Sequence, residues 1–227
     1  MIQLNRGSSS LQSQLTKRQS QAQDTKRAIF ESAIKLFREK GFDKVTVEEI
    51  TRNAGTAKGS FYTYFRTKSD IIIEEFRTID GYYKRYQKNL RKLSSATEKI
   101  HAFTKAQLRY VRDQVGNATL KILYANNLIE PAADKVLIDP SRYLHTLVRD
   151  IIAEGQESGE FRSDKTADKL AYLFNRGMRS VFLDWAISSN DWDLVKEGYA
   201  FFEIILLPAL RFDSDSRSTQ RASAVRS

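Results

Sequence analysis

Apolar side chains recur along this 227-residue chain at steps of three and four, with no alternating stretch that would make a strand. That spacing stacks them on one side of a helix and predicts an all-α fold. Ile29, Phe30, Ala33, Ile34 and Phe37 form the first stripe, on a helix from about Thr25 to Lys40 that Asp24 can open and Gly41 can close. Thr46 and Glu49 have the spacing of a capping box and set a helix start at Val47, which Ala54-Gly55 ends within two turns. A third short helix is predicted from about Ala57 to Phe65. Thr67 with Asp70 repeats the capping signal before a much longer helix, striped by Ile72, Phe76, Ile79, Tyr83, Tyr86, Leu90 and Leu93 and reaching about residue 92. Further helices are predicted at about 96–116, 119–129, 141–158, 165–189 and 192–211, with Asp139-Pro140 as one start and Ser158-Gly159 as one stop. The pattern therefore predicts about nine helices, three small ones and then six.

The ends read differently. Residues 1–23 and 213–227 are polar, rich in Ser and Gln or in Ser and Arg, and cannot bury enough surface to offset chain entropy, so a disordered leader and tail are expected. Between them, residues 24–69 form one predicted domain and 70–212 a second, larger helical one.

Composition narrows the function. Thirty-seven Lys and Arg against 28 Asp and Glu give a formal charge of +9, which favours a polyanionic partner. The absence of cysteine excludes a disulfide scaffold, thiolate zinc sites and thiol catalysis. No run approaches the roughly 18 apolar residues of a membrane span, and the opening residues lack the apolar centre of a signal peptide. A cytoplasmic protein without membrane contact is expected. The only histidines, His101 and His145, lie on different predicted helices without metal-ligand spacing, and no phosphate loop or nucleophile elbow occurs. No catalytic residue, metal site or cofactor is assigned.

Two short helices joined by a tight glycine turn and resting on a third are the minimum of a helix-turn-helix. Here Val47–Asn53 and Ala57–Tyr64 flank Ala54-Gly55-Thr56, with Ile50 and Phe61 placed to pack inward against Ile34 and Phe37. The remaining side chains of the third helix suit DNA. Lys58, Ser60 and Thr63 can reach base edges. Gly59 permits close backbone approach, and Thr46, Tyr62 and Tyr64 can donate hydroxyl protons to phosphate. Helix starts near Thr46, Thr56 and Lys68 present unpaired N–H groups, and Lys58 and Lys68 add charge. The run from Thr46 through Gly55, Ala57-Lys58-Gly59-Ser60-Phe61-Tyr62, Tyr64-Phe65 and Lys68, with Gly41-Phe42 ahead of it, resembles the DNA-binding signature of the TetR family of bacterial regulators. That resemblance implies an all-helical homodimer that binds double-stranded operator DNA, with a variable C-terminal ligand domain, usually a repressor released by a small molecule. It also implies DNA contacts at Thr46, Lys58, Gly59, Tyr62, Tyr64 and Lys68. Ala57 departs from the Ser common at that position and cannot cap the third helix, so Thr56 is expected to do so.

Beyond residue 70 the sequence carries less chemistry. Tyrosines and phenylalanines gather on the long helices; most are core, but Tyr83, Phe103, Tyr124, Tyr143 and Phe174 are the candidates to line a pocket for a flat, mainly apolar effector. Leu170, Phe174, Gly177, Met178, Val181, Phe182 and Trp185 form a broad apolar face, and Tyr199 to Leu207 is apolar nearly all round, so the last two helices are expected to pair two subunits. An enzyme, a sequence-blind DNA-coating protein and a regulator answering to a protein partner are the competing classes.

Overall fold

A computed structural model describes residues 7–129, 136–188 and 191–211. Among them are nine helices and no strand. They are α1 (Gly7–Lys40), α2 (Val47–Asn53), α3 (Lys58–Tyr64), α4 (Lys68–Leu90), α5 (Ala96–Tyr110), α6 (Asn117–Ile129), α7 (Tyr143–Glu157), α8 (Ala167–Ile187) and α9 (Leu194–Phe201). Two of them continue into π-helical turns. The end of α5 widens over Val111–Val115; α9 widens over Phe202–Leu206 and finishes in an α-turn, Leu207–Leu210. The second widening has a local cause, since Pro208 has no N–H to give and its ring crowds the carbonyl four residues back. No helix among the described residues is long and apolar enough to cross a membrane.

The chain divides into two compact units, Met1–Glu75 and Phe76–Ser227, so the division falls within α4, a few residues beyond the boundary expected at 69/70. In the first unit Ile29, Ala33, Ile34, Leu36, Val45, Ile50, Phe61, Phe65 and Ile71 form one buried cluster. The glycines bounding its elements stand where chirality leaves little choice: Gly41 and Gly55 have φ of 85° and 65°, the left-handed region that ends α1 and turns α2 toward α3. A polar pair reinforces the packing. Ser32 Oγ donates to Ile50 O at 2.8 Å, and Asn53 Nδ2 donates to Ser32 Oγ at 3.0 Å.

The disordered leader expected over residues 1–23 is corrected from Gly7 onward, because α1 begins there and Asp24 is a mid-helix residue 3.6 Å from Arg27. The polar composition bears on burial, whereas backbone helicity needs only helix-forming residues, absence of proline and a nucleus already supplied by the packed part of α1. The tail expected at 213–227 lies outside the described residues.

In the second unit α8 is central, packing on α6, α7 and α9, while α5 packs on α7 and α9. The face of α8 expected to meet another subunit is used within this chain: Leu170, Phe174, Met178, Val181, Phe182 and Trp185 are all buried. Gly177 makes room for the chain's own C-terminal turn, since a Cβ there would stand 2.6 Å from Leu206 Cδ2. Asp139-Pro140 also behaves differently from the expected cap. Asp139 Oδ1 accepts the Ser141 N–H at 2.8 Å in a preceding turn, and α7 starts two residues later behind Arg142.

Candidate nucleic-acid interface and ligand cavity

The first unit holds a short helix with one side in the core and the other in solvent. Thr46 caps α2 through the full box, its Oγ1 accepting the Glu49 N–H at 3.2 Å while Glu49 Oε2 accepts the Thr46 N–H at 3.0 Å. The Thr46 N–H holds the Glu49 carboxyl below its ordinary range, with Lys40 assisting. Gly55 then turns the chain, Thr56 N–H returns to Thr51 O at 2.9 Å, and α3 starts at Lys58. Ala57 is the N-cap and offers no side-chain bond; Thr56 spends its hydroxyl backward on Thr51 O at 3.5 Å, so α3 has no side-chain cap from either residue. Phe61 is fully buried, and Phe65 beside it anchors the end of the helix. With that side fixed, Lys58, Gly59, Tyr62 and Thr63 stand exposed, Tyr62 at 54%, and Ser60 is half-exposed.

The candidates within this unit are not equivalent. Thr63 Oγ1 donates to Gly59 O at 3.2 Å, which leaves its oxygen free to accept. Nothing lies within 4 Å of where a Gly59 Cβ would be, so that position is open to approach. Lys58 is held by Glu48 across the turn; the pair raises the lysine's pKa and lowers the glutamate's, chiefly through their mutual hydrogen bond. Tyr64 is partly buried against the core. Lys68 is also half-buried: its ammonium donates to Val45 O at 2.6 Å and Phe42 O at 2.9 Å and lies 4.6 Å from the Phe42 ring centre. It ties the α1–α2 loop to the start of α4. Nothing in the sequence marked those two carbonyls as its partners.

In the second unit an interior cavity of about 30 Å³, room for one water-sized group, lies among α4, α5, α6, α7 and α8. Tyr83 and Tyr124 line it. The other expected ligand residues lie elsewhere. Phe103 packs edge-on behind Tyr83 at 5.2 Å, Tyr143 borders an open polar basin with Asp80 and Lys84, and Phe174 borders a groove beside the C-terminal turn. The tyrosines are held by the fold. Tyr124 donates to Arg179 O at 2.9 Å, and burial pushes its phenol well above the ordinary value. Tyr83, fully buried, is raised likewise and hydrogen-bonds the Gln107 amide.

Four residues that the sequence reading passed over shape this region: Gln107, Asn175, Arg142 and Arg179 all line the cavity. Arg142, 8% exposed, clamps Asp80 through two bonds of 2.8 and 3.1 Å, and it also borders the polar basin outside. Polar residues on helices ordinarily face water, so their types alone gave no sign of burial. Of the two histidines, His101 Nδ1 lies 2.7 Å from Tyr199 Oη and His145 Nε2 lies 3.6 Å from Asp168.

Comparison with known proteins gives this arrangement its setting. Residues 29–74 match the model of bacterial regulatory proteins of the tetR family, which spans α2, α3 and the packed part of α1. The chain is 22% identical over 182 residues to the fatty acid metabolism regulator protein of Bacillus subtilis, covering 78% of this chain and 92% of that one. It is 25% identical over 179 residues to the HTH-type transcriptional repressor KstR2 of Mycolicibacterium smegmatis, covering 78% and 87%. Its fold superposes on that of FadR from Thermus thermophilus, a TetR-family repressor solved with lauroyl-CoA, with a TM-score of 0.69, 19% identity and coverage of 83% and 96%. With the tetR-family helix-turn-helix matched in its first unit and a helical fold like that of solved TetR-family regulators continuing through its second, this chain is a DNA-binding transcriptional regulator similar to those of the TetR family.

Proposed function

We propose that this regulator binds a specific operator as a homodimer through α2 and α3, represses there, and is released when a small, mainly apolar effector enters the second unit. The observation that carries the DNA-binding half is the division of α3: Phe61 is locked in the core while Lys58, Gly59, Tyr62 and Thr63 face solvent as one row. The contacts assigned to it are base edges for Lys58, Ser60 and Thr63 and backbone for Thr46, Thr56, Ala57, Gly59, Tyr62, Tyr64 and Lys68.

For dimerisation the buried side of α8 is replaced by its outer side. Tyr172 and Leu173 on α8 and Ile204 and Ile205 on the π-turn after α9 are exposed apolar residues, a surface that a second copy would cover. For the effector, relatives solved with lauroyl-CoA and stearoyl-CoA make acyl thioesters the first class to try. A hundredfold loss of operator affinity needs about 2.7 kcal/mol of differential effector binding. The test is a gel shift with DNA from upstream of the gene and random competitor at physiological salt, repeated with added acyl-CoA. A discrete complex that resists competitor and dissolves with effector is expected. Binding erased equally by any DNA would reduce the protein to a sequence-blind DNA coat.

A further inference from the structure

The interior cavity of the second unit is lined by polar groups that the fold itself does not satisfy. Gln107 on α5 and Asn175 on α8 are 2% and 8% exposed, and among the described residues Gln107 Oε1 and Asn175 Oδ1 have no hydrogen-bond partner. Natural folds pair nearly all such buried atoms, because an acceptor stripped of water and left alone is costly. Ile79, Val111, Met178 and Phe182 beside them offer no donor, and the donors in the lining are used elsewhere: Tyr124 on Arg179 O, Arg142 on Asp80 and Val136 O, while Tyr83 meets the Gln107 amide without bonding its Oε1. Arg179 adds the opposite need. It is partly buried, donates one N–H to Leu137 O at 3.0 Å, and among the described residues no carboxylate pairs with it. Among the described residues, two unbonded acceptors and a cation with no carboxylate partner, set in a largely apolar wall, define the complement of a ligand.

We propose that this cavity is a specificity site for an apolar acid that also carries a hydroxyl group. The hydroxyl donates to Gln107 Oε1 or Asn175 Oδ1, the acid group meets Arg179, and the carbon skeleton displaces the side chains of Met178 and Phe182. Met178, unbranched with three rotatable bonds, is suited to yield that space. The inference rests on the reading of the second unit as an effector receptor and narrows it, since a plain acyl chain would bury both amide oxygens unpaired. A site built to bond a hydroxyl discriminates strongly against the analogue lacking it, for that same reason.

The test is calorimetric titration of the purified full chain, without DNA, by matched acids: phloretate against hydrocinnamate, ricinoleate against oleate, and deoxycholate against cholanate. In at least one pair the hydroxylated acid is expected to bind about tenfold more tightly or better. That preference should shrink toward unity in Asn175→Leu or Gln107→Leu, whichever folds, while Arg179→Gln should weaken both members alike. Equal affinities within every pair, no binding by any hydroxylated acid, or a preference surviving both leucine variants would overturn the proposal and leave the amides as hosts of a buried water. An unhydroxylated acyl thioester that binds more tightly and frees the operator would overturn this inference alone. A hydroxy acid that binds tightly yet leaves the operator occupied would instead remove the effector reading.

Discussion

In the first unit the side chains assigned to chemistry stand in water on a small rigid frame; in the second they are enclosed. Tyr62 and Lys58 are exposed beside a fully buried Phe61, whereas Gln107, Asn175 and Arg142 are within a tenth of complete burial. The difference follows from the partner each unit would receive. DNA is large and hydrated and must be met by projecting groups, so its contacts can be spared by folding and left on a surface. A small apolar molecule must be surrounded, so its polar contacts have to be buried beforehand, at a cost to the unit that holds them.

Phe61→Ala should break this contrast most sharply. Emptying the fully buried site costs about 3–5 kcal/mol and should dissolve the first unit's core, abolishing operator binding in a gel shift. Calorimetry should still detect effector binding by the same variant, because Phe61 belongs to the first unit's buried cluster. Loss of both functions together would show that the two units do not fold separately.

Arg142→Met comes next. It strands the Asp80 carboxylate that Arg142 now holds with two bonds and should cost about 2–4 kcal/mol, toward the lower figure because Asp80 keeps some water. Thermal melting read by circular dichroism gives the answer, and an unchanged melting temperature would mean the clamp is idle.

Glu160→Gln probes a polar contact that serves stability alone. Glu160 accepts the Ala96 and Thr97 N–H groups at 3.0 and 2.8 Å at the start of α5; burial opposes its ionisation, but those donors prevail and hold its pKa at about 2. A depressed folded pKa stabilises above the unfolded value of about 4.5, and that stabilisation is lost as pH falls toward about 2. The variant should therefore melt lower than wild type at neutral pH, by about 1 kcal/mol or less given the site's exposure, and the gap should close on acidification. A gap independent of pH would assign the effect to packing.

The smallest effect should be a gain. Glu48→Gln releases Lys58 from its ion pair and removes an anion beside the proposed DNA path. Operator affinity should rise about severalfold at low salt, with a salt dependence steeper by about one ion. Unchanged binding would leave Lys58 outside the interface.

The reading head was legible because its signals are local. A capping box, a glycine turn and a stripe of three-and-four spacing lie within a few residues of one another, and the structure keeps Thr46, Gly55, Ile50 and Phe61 in the predicted places. Lys68 marks the limit, for its carbonyl partners stand 23 and 26 residues away. In the second unit the helices also fell close to their predicted spans, yet of five aromatic residues expected around a ligand only Tyr83 and Tyr124 line the cavity. Aromatic residues serve core and pocket alike, and nothing in residue type separates the two.

By itself the sequence determined the helical class, the helix-turn-helix and its exposed residues, because backbone hydrogen bonding and capping depend on near neighbours. Which side of α8 is buried, and which amides, arginines and tyrosines surround one cavity, was decided only by tertiary structure. Those facts depend on helices such as α5 and α8, whose facing residues Gln107 and Asn175 are 68 positions apart, and on burial that no spacing within one helix records.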